Sequence, residues 1–321
     1  MTVFVAPLAL LLERLLGYPQ TLVRLIGHPV IWFGALISAL EGRLNRPEFS
    51  PRRRKGFGVL TVMVLLLAAV LPSILIVWLC RQWTWGWVVE AFLATPFLAQ
   101  KELGRAVGAV ADGLRVSLAD GRRTVSHVVG RDPEQLDEAG VARAAVETLA
   151  ENASDGVIAP LFWLIVAGLP GIAAYKAVNT ADSMIGHLNE RYRDFGWAGA
   201  RLDDLLNLVP ARLTAGLFAV AALFVRRADA PGALRAALRD AKKHNSPNAG
   251  WPEAAMAGAL GFSLGGPRSY GGETVDLPTM GQGRRDLGPE DIDRALQLYR
   301  RMLDVTLVGT AAVAAAIWLL V

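Results

Sequence analysis

Two runs of this chain place side chains suited to ion and phosphate chemistry inside otherwise apolar sequence. The first begins at Glu147 as ETLAENASDGVIAPLFW; the second, Tyr175 to Arg212, reads YKAVNTADSMIGHLNERYRDFGWAGARLDDLLNLVPAR. Set on a helix, Asn179, Asp182, Gly186 and Glu190 share one side, and Lys176, Thr180, Ser183, His187 and Arg191 share the adjoining one. Glu147, Glu151 and Asp155 recur at steps of four and are expected on one face. Charges this dense beside a bilayer are costly unless they pair, bind ions or line a wet cavity, so a functional site is the default reading. Two later runs add to the inventory. HNSPNAGWPE, from His244, has prolines and a glycine that force a defined turn, with Glu253 at the next helix's N-terminus. GGPRSYGG (Gly265–Gly272) offers exposed backbone N–H groups and one arginine, Arg268, a set suited to an anion.

Each of these has a plainer alternative. Asp203 and Asp204 with Arg201 could form a surface ion pair at a helix start. His28 and His127 stand isolated, as structural histidines do, and Arg131 is one arginine among several on a polar helix.

The elements that must position these groups read as membrane helices. Hydrophobic residues make up 53% of 321 and charged residues only 19%, which argues for one membrane-embedded unit, 1–321, with polar loops. The net charge of +4 comes without an aromatic-interleaved basic face, so nucleic acid is not an expected partner. One cysteine, Cys80, excludes an internal disulfide framework and a cysteine-based zinc site. Residues 1–49 hold apolar or interfacial helices, with His28 and Pro29 weakening any span there. SPRRRK (Ser50–Lys55) precedes the clearest transmembrane helix, Gly58–Leu79, and the positive-inside rule puts that cluster in the cytoplasm. Trp83, Trp85 and Trp87 suit an interfacial belt, and Val88–Ala99 reads as a shorter returning span that completes a pair over 58–99. Residues 101–155 form a polar helical loop in which Asp132 caps a helix with Pro133 in its first turn. Residues 156–225 are apolar but broken at Pro160, Gly168, Pro170 and Pro210. Arg226–Lys243 is a basic amphipathic surface helix, Gly250–Gly283 is loop-rich, and the cytoplasmic segment 226–301 leads into a final span at 302–321. The expectation is an all-α polytopic protein of the cytoplasmic (inner) membrane with about four to five spans, some broken or re-entrant.

ENASDGVIAPLFW, NTADSMIGHLNERYRDFGWAGARLDDLLNLVPAR, HNSPNAGWPEAAMAGALG and LGGPRSYGG together resemble the signature blocks of the adenosylcobinamide-phosphate synthase family. The resemblance covers most of Glu147–Gly272. Near the N-terminus GHPV (Gly27–Val30) fits that family, whereas Glu13 and GYP (Gly17–Pro19) depart from its pattern. The resemblance implies a membrane ligase of cobalamin biosynthesis. Such an enzyme joins adenosylcobyric acid to (R)-1-amino-2-propanol phosphate through an amide bond, with ATP and Mg2+. Activating a carboxylate that way needs carboxylates for the metal, cations for phosphates and a base for the amine. Asp155, Asp182, Asp203 and Asp204 are the magnesium candidates, and Asp182, His187, Asp203, Asp204 and His244 the catalytic ones. Lys176, Arg191, Arg193, Arg201, Arg212 and Arg268 are expected to face phosphates. Glu151, Asn152, Ser154, Asn179, Ser246, Asn248 and Glu253 complete the binding set that the matched blocks imply.

No GxxxxGK[ST] loop occurs, so the ATP requirement rests on the resemblance alone. The DGxxAR run of CDP-alcohol phosphotransferases is also missing. The competing class is a non-catalytic membrane component, a transporter or scaffold for a corrinoid-handling assembly, which also sets charges near broken helices. Transporters usually repeat their span pattern, and no repeat is visible here. Membrane lipid and other late cobalamin-assembly membrane enzymes are the further partners expected.

Overall fold

The computed structural model describes residues 2–18, 21, 24–25, 27–129, 133–266, 268–270, 273–275 and 278–320. Helices dominate. The strands among the described residues are two short antiparallel pairs, Leu264–Gly265 with Thr279–Met280 and Arg268–Tyr270 with Glu273–Val275. Among the described residues three stretches are long and apolar enough to cross a membrane: Pro51–Cys80, Glu138–Ile185 and Pro289–Leu320. The bent pair Trp197–Leu206 and Leu208–Ala222 makes a fourth if counted as one span. The chain is thus an all-α polytopic membrane protein, at the lower end of the expected count.

By its contacts the chain forms two compact units: Met1–Ala99, Ala159–Asn207 and Thr310–Val321 in the first, Gln100–Ile158 and Leu208–Gly309 in the second. In the first unit the helix Pro51–Cys80 packs along Ala159–Ile185, and Pro29–Leu44 and Trp197–Leu206 lie against both. Pro51–Cys80 is 30 residues, about 45 Å at 1.5 Å per residue, more than a hydrocarbon core of about 30 Å requires. Its basic start is tied to neighbours as well as suited to a membrane surface. Arg53 lies 4.4 Å from the Phe49 ring, Lys55 Nζ lies 3.6 Å from the Trp197 ring, and Arg54 donates to Asn45 Oδ1 at 2.9 Å.

Several expectations need correction here. Val88–Ala99 is not a span: a helix of 9 residues, Gly86–Ala94, passes into the 3-10 turn Thr95–Phe97, where Pro96 sits. At about 1.5 Å per residue that helix covers under half of the apolar core. The helix Pro29–Leu44 starts where His28 caps it, with Nδ1 accepting from Val30 N at 3.3 Å, so His28 is structural as expected. The break in the apolar run falls at Ala167 and Gly168 (φ +64°), inside Ala159–Ile185. A broken helix frees backbone N–H groups. The buried Glu90 accepts from one of them, Leu169 N, which explains a carboxylate in so apolar a place.

In the second unit Ala230–Asp240 packs on Gly250–Leu260, and Leu208–Ala222 packs on both. The first third of the loop expected over Gly250–Gly283 is therefore a helix, and its alanines are almost wholly buried. Its apolar residues are too small to give a strong periodic signal. The cap expected at Asp132 lies outside the described residues. The helix itself opens at Glu138, with Asp137 Oδ1 accepting from Gly140 N at 2.7 Å, while Pro133 belongs to a preceding turn. The expected basic helix is Ala230–Asp240, and it ends on a buried carboxylate. Asp240 accepts from Lys243 Nζ at 2.7 Å, Arg239 Nε at 2.9 Å and Gly281 N at 3.0 Å. Burial pushes its carboxyl up, but these donors overcome that and hold it well below the usual carboxylate range. The unfolded chain then binds the proton more readily, so this contribution is full above about pH 4 and fades as pH falls below it. Asp240→Asn is expected to cost on the order of 2 kcal/mol at pH 7. The gap from the parent in detergent melting curves should narrow steadily between about pH 4 and pH 2. A gap independent of pH would show that packing, and not charge, holds this turn.

Candidate active site

The chemistry of a carboxylate depends on what holds it, and Asp203 is held on both sides. It sits, buried, on the helix Trp197–Leu206, one turn before the helix ends at Asn207. Asn179 Nδ2 donates to Asp203 Oδ1 at 3.3 Å and Asn207 Nδ2 donates to Asp203 Oδ2 at 2.9 Å. Behind each amide stands another group. Lys176 Nζ donates to Asn179 Oδ1 at 3.2 Å, and the Tyr175 hydroxyl donates to Asn207 Oδ1 at 3.0 Å. Lys176 and Asn179 come together because they lie three residues apart on one helix face. Trp163 Nε1 donates to Leu206 O at 3.2 Å and fixes the end of the second helix against the first. Asp182 and Asp204 are the negative neighbours whose charges act on Asp203. The result is a carboxylate group around Asp203, with a lysine linked to it through one amide.

Asp182 is half-buried in the last turn of Ala159–Ile185, and its carboxylate folds over Gly186. A Cβ at Gly186 would lie 2.1 Å from Asp182 Oδ1, so only glycine leaves the carboxylate where it is. That helix ends at Ile185, so Gly186, His187, Glu190 and Arg191 do not extend its face as expected. Residues 186–196 instead turn back sharply: a Cβ at Gly196 would lie 1.6 Å from Ile185 O. His187 and Arg193 are exposed on this return. Arg191 is committed to Glu41, with Nε to Oε1 at 2.9 Å and Nη2 to Oε2 at 3.0 Å, a bidentate pair. Asn45 supports both partners, donating to Glu41 Oε1 at 3.1 Å and to Arg191 O at 3.0 Å. Arg201 pairs with Asp204 at 3.2 Å, the plainer alternative for that aspartate, while Asp203 turns inward.

The second unit holds its own polar set. The helix Glu138–Ala153 sets the buried Glu147 and the exposed Glu151 one turn apart, then widens into a π turn, Ser154–Ile158, in which the half-buried Asp155 sits out of their step of four. π turns recur at functional sites. Ser154 Oγ is buried here with no hydrogen-bond partner among the described residues, a cost of about 1–3 kcal/mol that a bound group could remove. Asn152 Nδ2 donates to Thr148 O at 3.0 Å, which anchors the turn before the widening. The buried Glu147 Oε1 accepts from Gly265 N at 2.7 Å and Arg285 Nη2 donates to Gly265 O at 3.0 Å, so charged groups clamp the start of GGPRSYGG. Arg268 opens a strand whose Cα pairs with that of Val275. Pro267, Gly271 and Gly272 of that run lie outside the described residues.

HNSPNAGWPE forms the expected defined turn. Ser246 Oγ accepts from Asn248 N at 3.2 Å and Ala249 N at 3.3 Å, and Ser246 N donates to His244 Nδ1 at 2.9 Å. With Nδ1 accepting, the neutral ring carries its proton on Nε2, which faces Glu253 Oε1 at 3.7 Å. His244 thus helps order the turn through Nδ1. Arg212 stacks over the Trp251 ring at 4.7 Å and reaches Asn248 Oδ1 at 3.4 Å. This leaves an exposed guanidinium on a rigid aromatic support, suited to an anion.

Among the described residues no three of His, Cys, Asp and Glu converge as a metal cage. Mg2+ seldom needs one, because one or two carboxylates with substrate phosphates suffice, and the aspartates around Asp203 supply that donor type. Sequence reasoning missed Tyr175, Asn207, Trp251, Glu41 and Arg285. Trp251 and Asn207 lie within the motifs quoted above, but only the fold shows which partner each one meets.

Comparison with known proteins adds to this geometry. The model of a family described as CobD/Cbib protein matches residues 6–299. A protein of Rhodobacter capsulatus named Cobalamin biosynthesis protein CobD is 50% identical over 306 residues, covering 94% of this chain and 95% of its own. Proteins of the same name from Brucella anthropi (49% identity, 98% and 97% covered) and Rhizobium meliloti (50%, 96% and 95%) are similarly close. No solved structure matches.

Proposed function

We propose a reaction for this chain on the premise that it belongs to the CobD/Cbib protein family: it joins adenosylcobyric acid to (R)-1-amino-2-propanol phosphate as an amide, giving adenosylcobinamide phosphate. The relatives' name places the family in cobalamin biosynthesis, and the reading here is that of a biosynthetic enzyme in the cytoplasmic membrane. The observation that carries the chemistry is the buried Asp203, clamped between two amides and flanked by Asp182 and Asp204.

When bound, ATP with Mg2+ would supply the phosphoryl group that activates the corrinoid carboxylate as a mixed acyl-phosphate anhydride. Asp182 and Asp204 are the carboxylates that would hold the metal. Lys176, already directed at this cluster through Asn179, and the exposed Arg193 balance the phosphates' charge. Asp203 accepts a proton from the incoming ammonium, which frees its lone pair to attack the carbonyl. Asn179 and Asn207 keep the carboxylate aimed while this happens. In the second unit Arg212 on Trp251 offers an anion contact, and Ser154 and Asp155 offer a hydroxyl and a carboxylate at a widened helix turn.

The balance of atoms gives a test. One oxygen of the corrinoid carboxylate must leave with the phosphoryl group. Adenosylcobyric acid labelled with 18O in that carboxylate is expected to yield 18O-labelled inorganic phosphate, one label per amide formed. Label in AMP would replace phosphoryl activation with adenylyl activation, and amide formation without ATP would refute nucleotide activation altogether.

A further inference from the structure

Tyr175 is buried in the same helix as Lys176 and Asn179, and its hydroxyl meets Asn207 Oδ1 at 3.0 Å. Asn207 is just as buried, and its Nδ2 meets Asp203 Oδ2 at 2.9 Å. Asp203 Oδ2 is the acceptor in this bond, so Asn207 turns its Nδ2 towards Asp203. Its carbonyl oxygen then points the other way, into buried surroundings, and needs a donor there. Tyr175 is that donor.

We propose that Tyr175 is a positioning residue, which acts through Asn207 to keep an amide N–H aimed at Asp203. This rests on the reading of Asp203 as a participant in the reaction. Asn207 carries the two faces of one planar amide, so satisfying its oxygen and orienting its nitrogen are a single event. Without the hydroxyl, the buried Asn207 oxygen loses its partner, and rotating the amide by half a turn brings that oxygen against the carboxylate. Asp203 then keeps Asn179 alone as its firm amide donor for part of the time, and its aim loosens. The Tyr175 ring fills its space whether or not it bears a hydroxyl, so the effect belongs to one oxygen atom.

The test compares the full-length chain in lipid nanodiscs with Tyr175→Phe, Asp203→Asn and the double variant, by kcat, KM and thermal melting. Tyr175→Phe is expected to lower kcat about 10-fold, with KM within about twofold of the parent, since the amide steers the reacting group and not the bound substrate. In the Asp203→Asn background, where no carboxylate remains to be aimed, the same change should cost less than about twofold. Asn207→Ala, which cuts the link from its other side, should repeat the pattern and serves equally if the Phe variant does not fold. An equal loss in both backgrounds would overturn the proposal in favour of a structural hydroxyl, as would an unchanged kcat for Tyr175→Phe when Asp203→Asn is impaired. Normal turnover of Asp203→Asn would instead remove the reading of Asp203 on which the proposal rests.

Discussion

Asp182→Asn is expected to lower amide formation about 100-fold while the protein inserts, purifies and melts as the parent does. Removing one oriented charge from the reacting centre typically costs that much or more. The substitution keeps the shape, so packing is preserved. The charge itself is a structural liability where it stands, because Asp182 lies in the last turn of Ala159–Ile185, where the helix dipole disfavours a carboxylate by about 0.3–1 kcal/mol. It also stands near Asp203 and faces its negative charge. The measurement is turnover beside melting temperature: activity should fall and stability hold or rise. Near-normal turnover would make Asp182 a structural residue.

Gly186→Ala should reproduce part of that loss without removing any charge. The added methyl would lie 2.1 Å from Asp182 Oδ1 and 2.6 Å from Asp182 O, so the carboxylate must swing away and the helix end must give slightly. A displaced carboxylate is expected to cost about 10-fold or more in turnover, because misplacement by about 1 Å can cost two orders of magnitude. The Mg2+ concentration for half-maximal rate should rise in parallel. The double variant Gly186→Ala/Asp182→Asn should be no slower than Asp182→Asn alone. Additive losses would mean that Gly186 acts on something other than Asp182.

How far the sequence alone reveals this site depends on how local each contact is. Lys176 and Asn179 are legible because three residues on a helix bring side chains together, and Asp182 because a carboxylate among apolar residues demands a reason. The span Pro51–Cys80 is legible for its length and its basic start. Arg191 looks like a phosphate ligand in the sequence, yet it pairs with Glu41, 150 residues away, and no local pattern announces such a partner. Asn207 and Tyr175 were missed for the same reason, being 32 residues apart. The π turn at Ser154–Ile158 takes Asp155 out of the step of four that Glu147 and Glu151 keep, because one widened turn rotates everything after it. Val88–Ala99 reads as a span because hydropathy measures composition, whereas the helix there, Gly86–Ala94, is cut short by the 3-10 turn at Thr95–Phe97. Asp137, which caps the described helix, is not singled out in the sequence because Pro133 draws the helix start to the earlier aspartate.

The central claim, that this membrane protein makes an amide with the carboxylates around Asp203, is tested most directly by product mass. The full-length chain in nanodiscs is incubated with adenosylcobyric acid, (R)-1-amino-2-propanol phosphate, ATP and Mg2+, and the corrinoid is analysed by mass spectrometry. The account predicts a corrinoid heavier by the amine less one water, lost when ATP is omitted and reduced about 100-fold in Asp182→Asn. An unaltered corrinoid recovered from folded protein, or the same corrinoid carried unaltered across a vesicle membrane, would contradict it.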